Sequence, residues 1–187
     1  LTREVDLLGV DAARLTFQVW SQIESEWDYA YVMVSSDGGT QWNILEGEHT
    51  TAENPIGNNF GFGYTGTSNG WLKEDIDLAP YSGQKILLSF EYLTDDAVNG
   101  DGLCLDDIAI AKIGFFDNAE HEQDGWIQEG FIRTDNLLSQ KYLVHKVEYL
   151  KDGSHQVQRM RLSTENSGKF TISGYGEQVE KVVVLVS

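Results

Sequence analysis

The chain has 187 residues, with 30 acidic against 13 basic side chains and a formal net charge of −17. That length supports one large domain or two small ones, each with a workable core. The charge repels phosphate backbones and anionic lipid surfaces, which excludes nucleic acid as a partner and favours extracellular work or cation binding.

From the N-terminus onward, apolar residues recur at every second position. Leu15, Phe17 and Val19 alternate in the first long run, and Leu88, Phe90 and Tyr92 in a later one. This is strand spacing with one face buried. Turn residues separate the runs: Asp37-Gly38-Gly39 after YVMVSS, Asn69-Gly70 before Trp71, Ser82-Gly83 before KILLSFEYL, and Asp152-Gly153 after YLVHKVEYL. Two prolines, Pro55 and Pro80, lie outside the runs, as their missing N–H requires. The pattern predicts an all-β antiparallel sandwich. The Gly/Asn-rich stretch from 57 to 70 reads as a long ordered loop, because Phe60, Phe62 and Tyr64 give it something to bury. Polar, turn-prone FFDNAEHEQDG predicts a break near residue 114, giving domains over 1–113 and 114–187. Shorter strands are expected beyond it in IQEGFIRT, KYLVHKVEYL, HQVQRMRL, GKFTIS and EKVVVLVS, either as a smaller separate β-sheet region or as an extension of the first sheet.

No apolar run approaches the ~20 residues of a membrane-spanning helix, and no charged-then-apolar signal segment opens the chain. The first residue is Leu1, so a longer parent protein is expected. The single cysteine, Cys104, forms no intrachain disulfide; between Leu103 and Leu105 it reads as a small buried hydrophobe.

Catalytic patterns fail one by one. His121-Glu122 begins a His-Glu-x-x-His zinc motif, but Gly125 stands where the second histidine belongs. His49, His145 and His155 stand alone in sequence, no Gly-x-Ser-x-Gly elbow is present, and YTGTSNG lacks the lysine of a phosphate-binding loop. The chain therefore reads as a non-enzyme. One cluster stands out. TDDAVNGDGLCLDDIAI, residues 94 to 110, holds Asp95, Asp96, Asp101, Asp106 and Asp107 without a basic residue among them. Such carboxylates repel one another, and a Ca²⁺ ion with six to eight oxygen ligands relieves that repulsion. The spacing is not that of an EF-hand, so a calcium site would be built from several strands. The alternative is a solvated acidic turn.

Several stretches together resemble the MAM-type jelly-roll domain of the immune inhibitor A family of secreted bacterial metallopeptidases. They are EVDLLGVDAARLTFQVW, ESEWDYAYVMVSSDGGTQWNIL, GYTGTSNGWLKEDIDLAPYSGQKILLSFEYLTDDAVNGDG and LCLDDIAIAKI, over roughly residues 2 to 113. W-D-Y-A-Y-V, then S-x-D-G-G-x-x-W, then L-D-D-I is the specific combination. The resemblance implies a jelly-roll β-sandwich over 1–113 and a non-catalytic accessory module, secreted or on the cell surface, since the family's peptidase activity belongs to a separate zinc domain. That domain would be the partner, in the same parent chain. It also implies a structural Ca²⁺ under the closing strand, with Asp106 facing it and Asp28 and Asp95 as the next ligands; Asp107 should point the other way.

Two alternatives remain open at this point. A carbohydrate-binding module is motivated by Trp20, Trp27, Trp42, Trp71 and Trp126 and would take a glycan ligand. An adhesive or self-assembling surface protein would take a protein ligand through exposed sheet edges.

Overall fold

The computed structural model describes residues 1–121, 125–134, 142–164 and 166–187. Among these the chain is all-β: twelve strands and two short 3₁₀ turns, Ala79–Tyr81 and Ala111–Ile113, with no α-helix. It divides into two compact units, Leu1–Asp135 and Asn136–Ser187.

In the first unit the strands are β1 (Thr2–Asp6), β2 (Arg14–Gln22), β3 (Tyr29–Ser35), β4 (Asn43–Ile44), β5 (Leu72–Asp77), β6 (Lys85–Leu93), β7 (Gly102–Ile110), β8 (Phe115–Asp117) and β9 (Trp126–Ile127). They form a five-stranded sheet ordered β4-β3-β6-β1-β9 and a four-stranded sheet ordered β5-β2-β7-β8, with every pairing antiparallel. Alternation in sequence becomes alternation in burial. Leu15, Phe17 and Val19 of β2 face inward, and so do Ile86, Leu88 and Phe90 of β6, all within one core cluster that fills the space between the sheets. Phe17 and Phe90 meet edge-to-face, their ring centroids 5.1 Å apart, joining the two layers.

Strand β3 is buried on both faces. Ala30, Val32 and Val34 enter the main core, whereas Tyr29, Tyr31 and Met33 form a second cluster with Ile44. The loop that follows β4 reaches this outer face. Asn59 anchors it, taking the Tyr31 hydroxyl (3.0 Å) and Gly61 N–H on its Oδ1 and donating to the carbonyls of Thr51 and Glu53. The expectation that Phe60 is buried does not hold, since its ring is 72% exposed; Tyr64 is the buried aromatic of the stretch. Cys104 is likewise exposed, because Leu103 and Leu105 turn inward on β7 and the two-residue period sends the cysteine out. Partial desolvation nonetheless raises its thiol above the ordinary value, which disfavours the reactive thiolate.

The break expected after residue 113 is crossed by strand pairing. β8 pairs with β7 and β9 with β1, extending both sheets. Trp126 explains this, packing between Phe90 and Phe115 and donating from Nε1 to the buried Asp117 carboxylate. Arg133 grips the same carboxylate with both terminal nitrogens (2.9 and 2.8 Å). Gly130, at φ 84°, lies in the stretch where IQEGFIRT was expected to continue as a strand.

The second unit is a three-stranded antiparallel sheet ordered β11-β10-β12, with β10 (Val144–Leu150), β11 (His155–Met160) and β12 (Val179–Val186). GKFTIS forms no strand. Its Phe170 ring lies 5.5 Å from the Lys146 ammonium, which pairs with Glu148 at 3.0 Å.

Candidate metal centre

Antiparallel pairing of β3 with β6 sets Tyr29 opposite Leu93. The residue before β3, Asp28, therefore meets the loop after β6, where Asp95 lies. The third carboxylate, Glu24, arrives on the turn that joins β2 to β3, a turn closed by the Asp28 N–H donating to the Glu24 carbonyl at 3.1 Å. One ligand oxygen from each of Glu24, Asp28 and Asp95 lies within 4.8 Å of the others.

Their surroundings differ. Asp28 is fully buried and accepts from the Asp95 N–H on Oδ1 (3.0 Å) and from the Tyr92 hydroxyl on Oδ2 (3.2 Å). Burial, then the Asp28 charge, pushes the Tyr92 phenol up to about 12. Glu24 carries a buried Oε2 with no hydrogen-bond partner. Burial, then the charges of Asp95 and Asp28, hold its carboxyl above the ordinary value. Among the described residues no lysine, arginine or histidine forms an ion pair with any of the three. A carboxylate with one buried oxygen lacking a donor, clustered with two further carboxylates and no counter-ion, is the donor set of a hard cation. The trio fits such an ion chemically.

The loop carrying Asp95 is pressed against the end of β2. A Cβ added at Gly100 would fall 1.9 Å from the Gln22 carbonyl oxygen, so only glycine allows this approach. Of the expected ligands, Asp28 and Asp95 are thus brought together, and Asp106 stands outside the trio. Asp106 sits on β7 opposite Gln18, and its Oδ1 takes the Asp107 N–H at 2.8 Å. The ladder slips there between Thr16 and Gln18, and Asp107 takes a left-handed φ of 49°. Glu24 was not foreseen; its sequence signal is Glu-x-x-x-Asp at the mouth of β3.

A second buried carboxylate has different chemistry. Glu74, on β5, accepts from the backbone N–H groups of Glu48 (2.9 Å) and His49 (3.0 Å), and its Oε1 lies 2.9 Å from His49 Nδ1. Its oxygens are taken up in fastening the turn at 47–50 to the sheet edge. Gly47 is needed for that approach, since a Cβ there would lie 2.7 Å from Glu74 Oε2. Burial first, and Glu74 second, push the Tyr64 phenol far up. The tryptophans are distributed rather than buried: Trp27, Trp42 and Trp71 are exposed, and Trp20 and Trp126 half-buried.

Comparison with known proteins agrees with this architecture. The family model for the immune inhibitor A-like MAM domain matches residues 1–136. The chain belongs to this family. The match ends one residue beyond the first compact unit. Among curated relatives, the pre-pro-metalloprotease PrtV of Vibrio cholerae is 32% identical over 123 residues, 64% of this chain and 13% of that protein. Immune inhibitor A of Bacillus thuringiensis subsp. alesti is 29% identical over 119 residues, 62% of this chain and 16% of its own length. Bacillopeptidase F of Bacillus subtilis is 29% identical over 97 residues, 52% of this chain and 6% of its own. The MAM-type region is thus a small part of each of these much longer proteins.

Proposed function

We propose that the chain is a non-catalytic extracellular accessory module of a peptidase-like parent protein, stabilised by one calcium ion held by Glu24, Asp28 and Asp95. The observation that carries the calcium assignment is the partnerless buried Oε2 of Glu24 beside two other carboxylates. Calcium suits the set better than a softer metal because all three donors are carboxylates and, among the described residues, no cysteine or histidine joins them. When bound, the ion would offset two of the trio's three negative charges and tie the turn after β2 to the loop after β6. Glu24 would supply its free oxygen, Asp28 would stay oriented by Tyr92 and the Asp95 N–H, and Asp95 would close the site from the loop.

The accessory role is supported by the family match, which falls on the sandwich, and by the small share of each relative that the chain spans. The peptidase domain of the same parent chain is then the natural partner, and secretion or surface display the natural location. Purified chain incubated with casein, with and without added Zn²⁺, should release no peptides, while equilibrium dialysis against Ca²⁺ should show one bound ion. Casein hydrolysis that co-purifies with the chain and survives Glu24→Gln would overturn the accessory reading. Absence of bound calcium would overturn the site and leave the accessory reading standing.

A further inference from the structure

Sheet edges carry free backbone donors and acceptors, and natural sheets shorten or charge them to prevent pairing with other chains. Three edges of the first unit are short: β4 and β9 have two residues each and β8 has three. The fourth, β5, presents the exposed charged residues Lys73, Asp75 and Asp77. In the second unit, β11 presents His155, Gln156, Gln158 and Arg159. Strand β12 breaks this rule. It is eight residues long, lies at the end of its sheet, and exposes Val184 (45%), Leu185 (55%) and Val186 (62%).

The ladder determines which groups are free. Leu143 and Ser187 exchange both backbone hydrogen bonds, at 2.8 and 3.0 Å, which makes them a hydrogen-bonded pair. Alternation along an antiparallel ladder then directs the N–H and C=O of Leu185 and Val183 toward β10, opposite His145 and Val147. Those of Val182, Val184 and Val186 point away from it, toward the side where, among the described residues, no strand pairs.

We propose that this free edge of β12 pairs antiparallel with the same edge of a second copy of the chain, about a two-fold axis at Val184, making one continuous six-stranded sheet. The edge is self-complementary in that register. Val182 faces Val186 of the other copy and Val184 faces itself, so each outward N–H and C=O of the three valines finds a partner. On the opposite face Val183 meets Leu185 and Lys181 meets Ser187, so no like charges oppose one another. The contact is isologous, as a closed dimer requires. Paired strands alone bury less than the ~1,200 Å² of a standard stable interface, so the dimer forms and dissociates with concentration.

Sedimentation velocity on the full chain over a concentration series should show a shift from the mass of one chain to that of two. Val184→Pro removes an outward N–H while leaving the bonds to β10 untouched, and edge strands tolerate proline. It should abolish the shift with the circular dichroism spectrum unchanged. In a Cys104→Ser background, Val184→Cys should form an intermolecular disulfide on mild oxidation, because opposed residues of a hydrogen-bonded pair have Cα atoms about 5.5 Å apart. Val157→Cys, in the middle of β11 and 60% exposed, should not. A monomer at every concentration overturns the proposal. So does a dimer that Val184→Pro leaves intact, or equal cross-linking at the two positions.

Discussion

The most discriminating perturbation is Glu24→Gln, which keeps the shape of the side chain and removes one charge from the trio. In metal-free protein the Glu24 carboxyl is held above its ordinary value, so its ionised form is disfavoured in the folded state. Glutamine relieves that repulsion and should raise the metal-free Tm. In wild type, calcium at a hundredfold excess over its Kd adds about 2.7 kcal/mol. For a unit of this size each kcal/mol is worth about 3 to 4 °C, so the melting curve should move up by about 10 °C and return when a chelator is added. The variant should lose most of that increment. Differential scanning calorimetry of both proteins, with chelator and with calcium, gives the four temperatures. The pH dependence has a fixed sign. A raised folded-state pKa means that metal-free stability rises as pH falls from neutral through that pKa, while the calcium increment shrinks because protons compete for the same oxygens. A variant that is less stable than wild type without metal, or that keeps the full calcium increment, would refute the reasoning.

Tyr92 should report on the same site. Its phenol is pushed up to about 12, first by burial and then by Asp28, so part of that elevation should vanish when calcium neutralises Asp28; phenolate absorbance titrations with and without the ion test this. A Tyr92→Phe control identifies the transition. Gly100→Ala should displace the loop bearing Asp95, since its methyl would meet the Gln22 carbonyl, and weaken calcium binding severalfold in titration calorimetry while the Phe17–Phe90 core stays intact by near-ultraviolet circular dichroism. Asp117→Ala should cost about 3 kcal/mol in urea unfolding by removing the buried carboxylate that accepts from Arg133 and Trp126. In wild type the Arg133 and Trp126 hydrogen bonds help depress the Asp117 carboxyl, so its stabilisation should persist above the ordinary aspartate pKa and disappear as pH falls through the depressed one.

The sandwich was legible because burial on one face leaves a two-residue period, as Leu15, Phe17 and Val19 display. Strand β3 was legible as a strand through YVMVSS, but its second buried face depends on the Asn59-anchored loop that covers Tyr29 and Tyr31. The tie that carries strand pairing past residue 113 was hidden because FFDNAEHEQDG is polar, while Asp117 binds Trp126 and Arg133 at separations of 9 and 16 residues. In the site, Asp28 and Asp95 came with the family resemblance, and their meeting depends on the β3–β6 register. Asp106 was expected from the family resemblance, as the first acidic residue of the closing strand. A bulge, which leaves no periodic trace, turns that part of β7 to local hydrogen bonding instead. Glu24 was obscured by lying in a turn outside the cluster, although the turn itself delivers its carboxylate.

The central claim is most directly tested by counting calcium ions bound per chain after equilibrium dialysis of the wild type, Glu24→Gln, Asp95→Asn and Asp106→Asn. The account predicts one ion for the wild type and for Asp106→Asn, and a markedly weakened or absent ion for the other two. Loss of the ion in Asp106→Asn with retention in Glu24→Gln and Asp95→Asn, or no ion in the wild type, would contradict it.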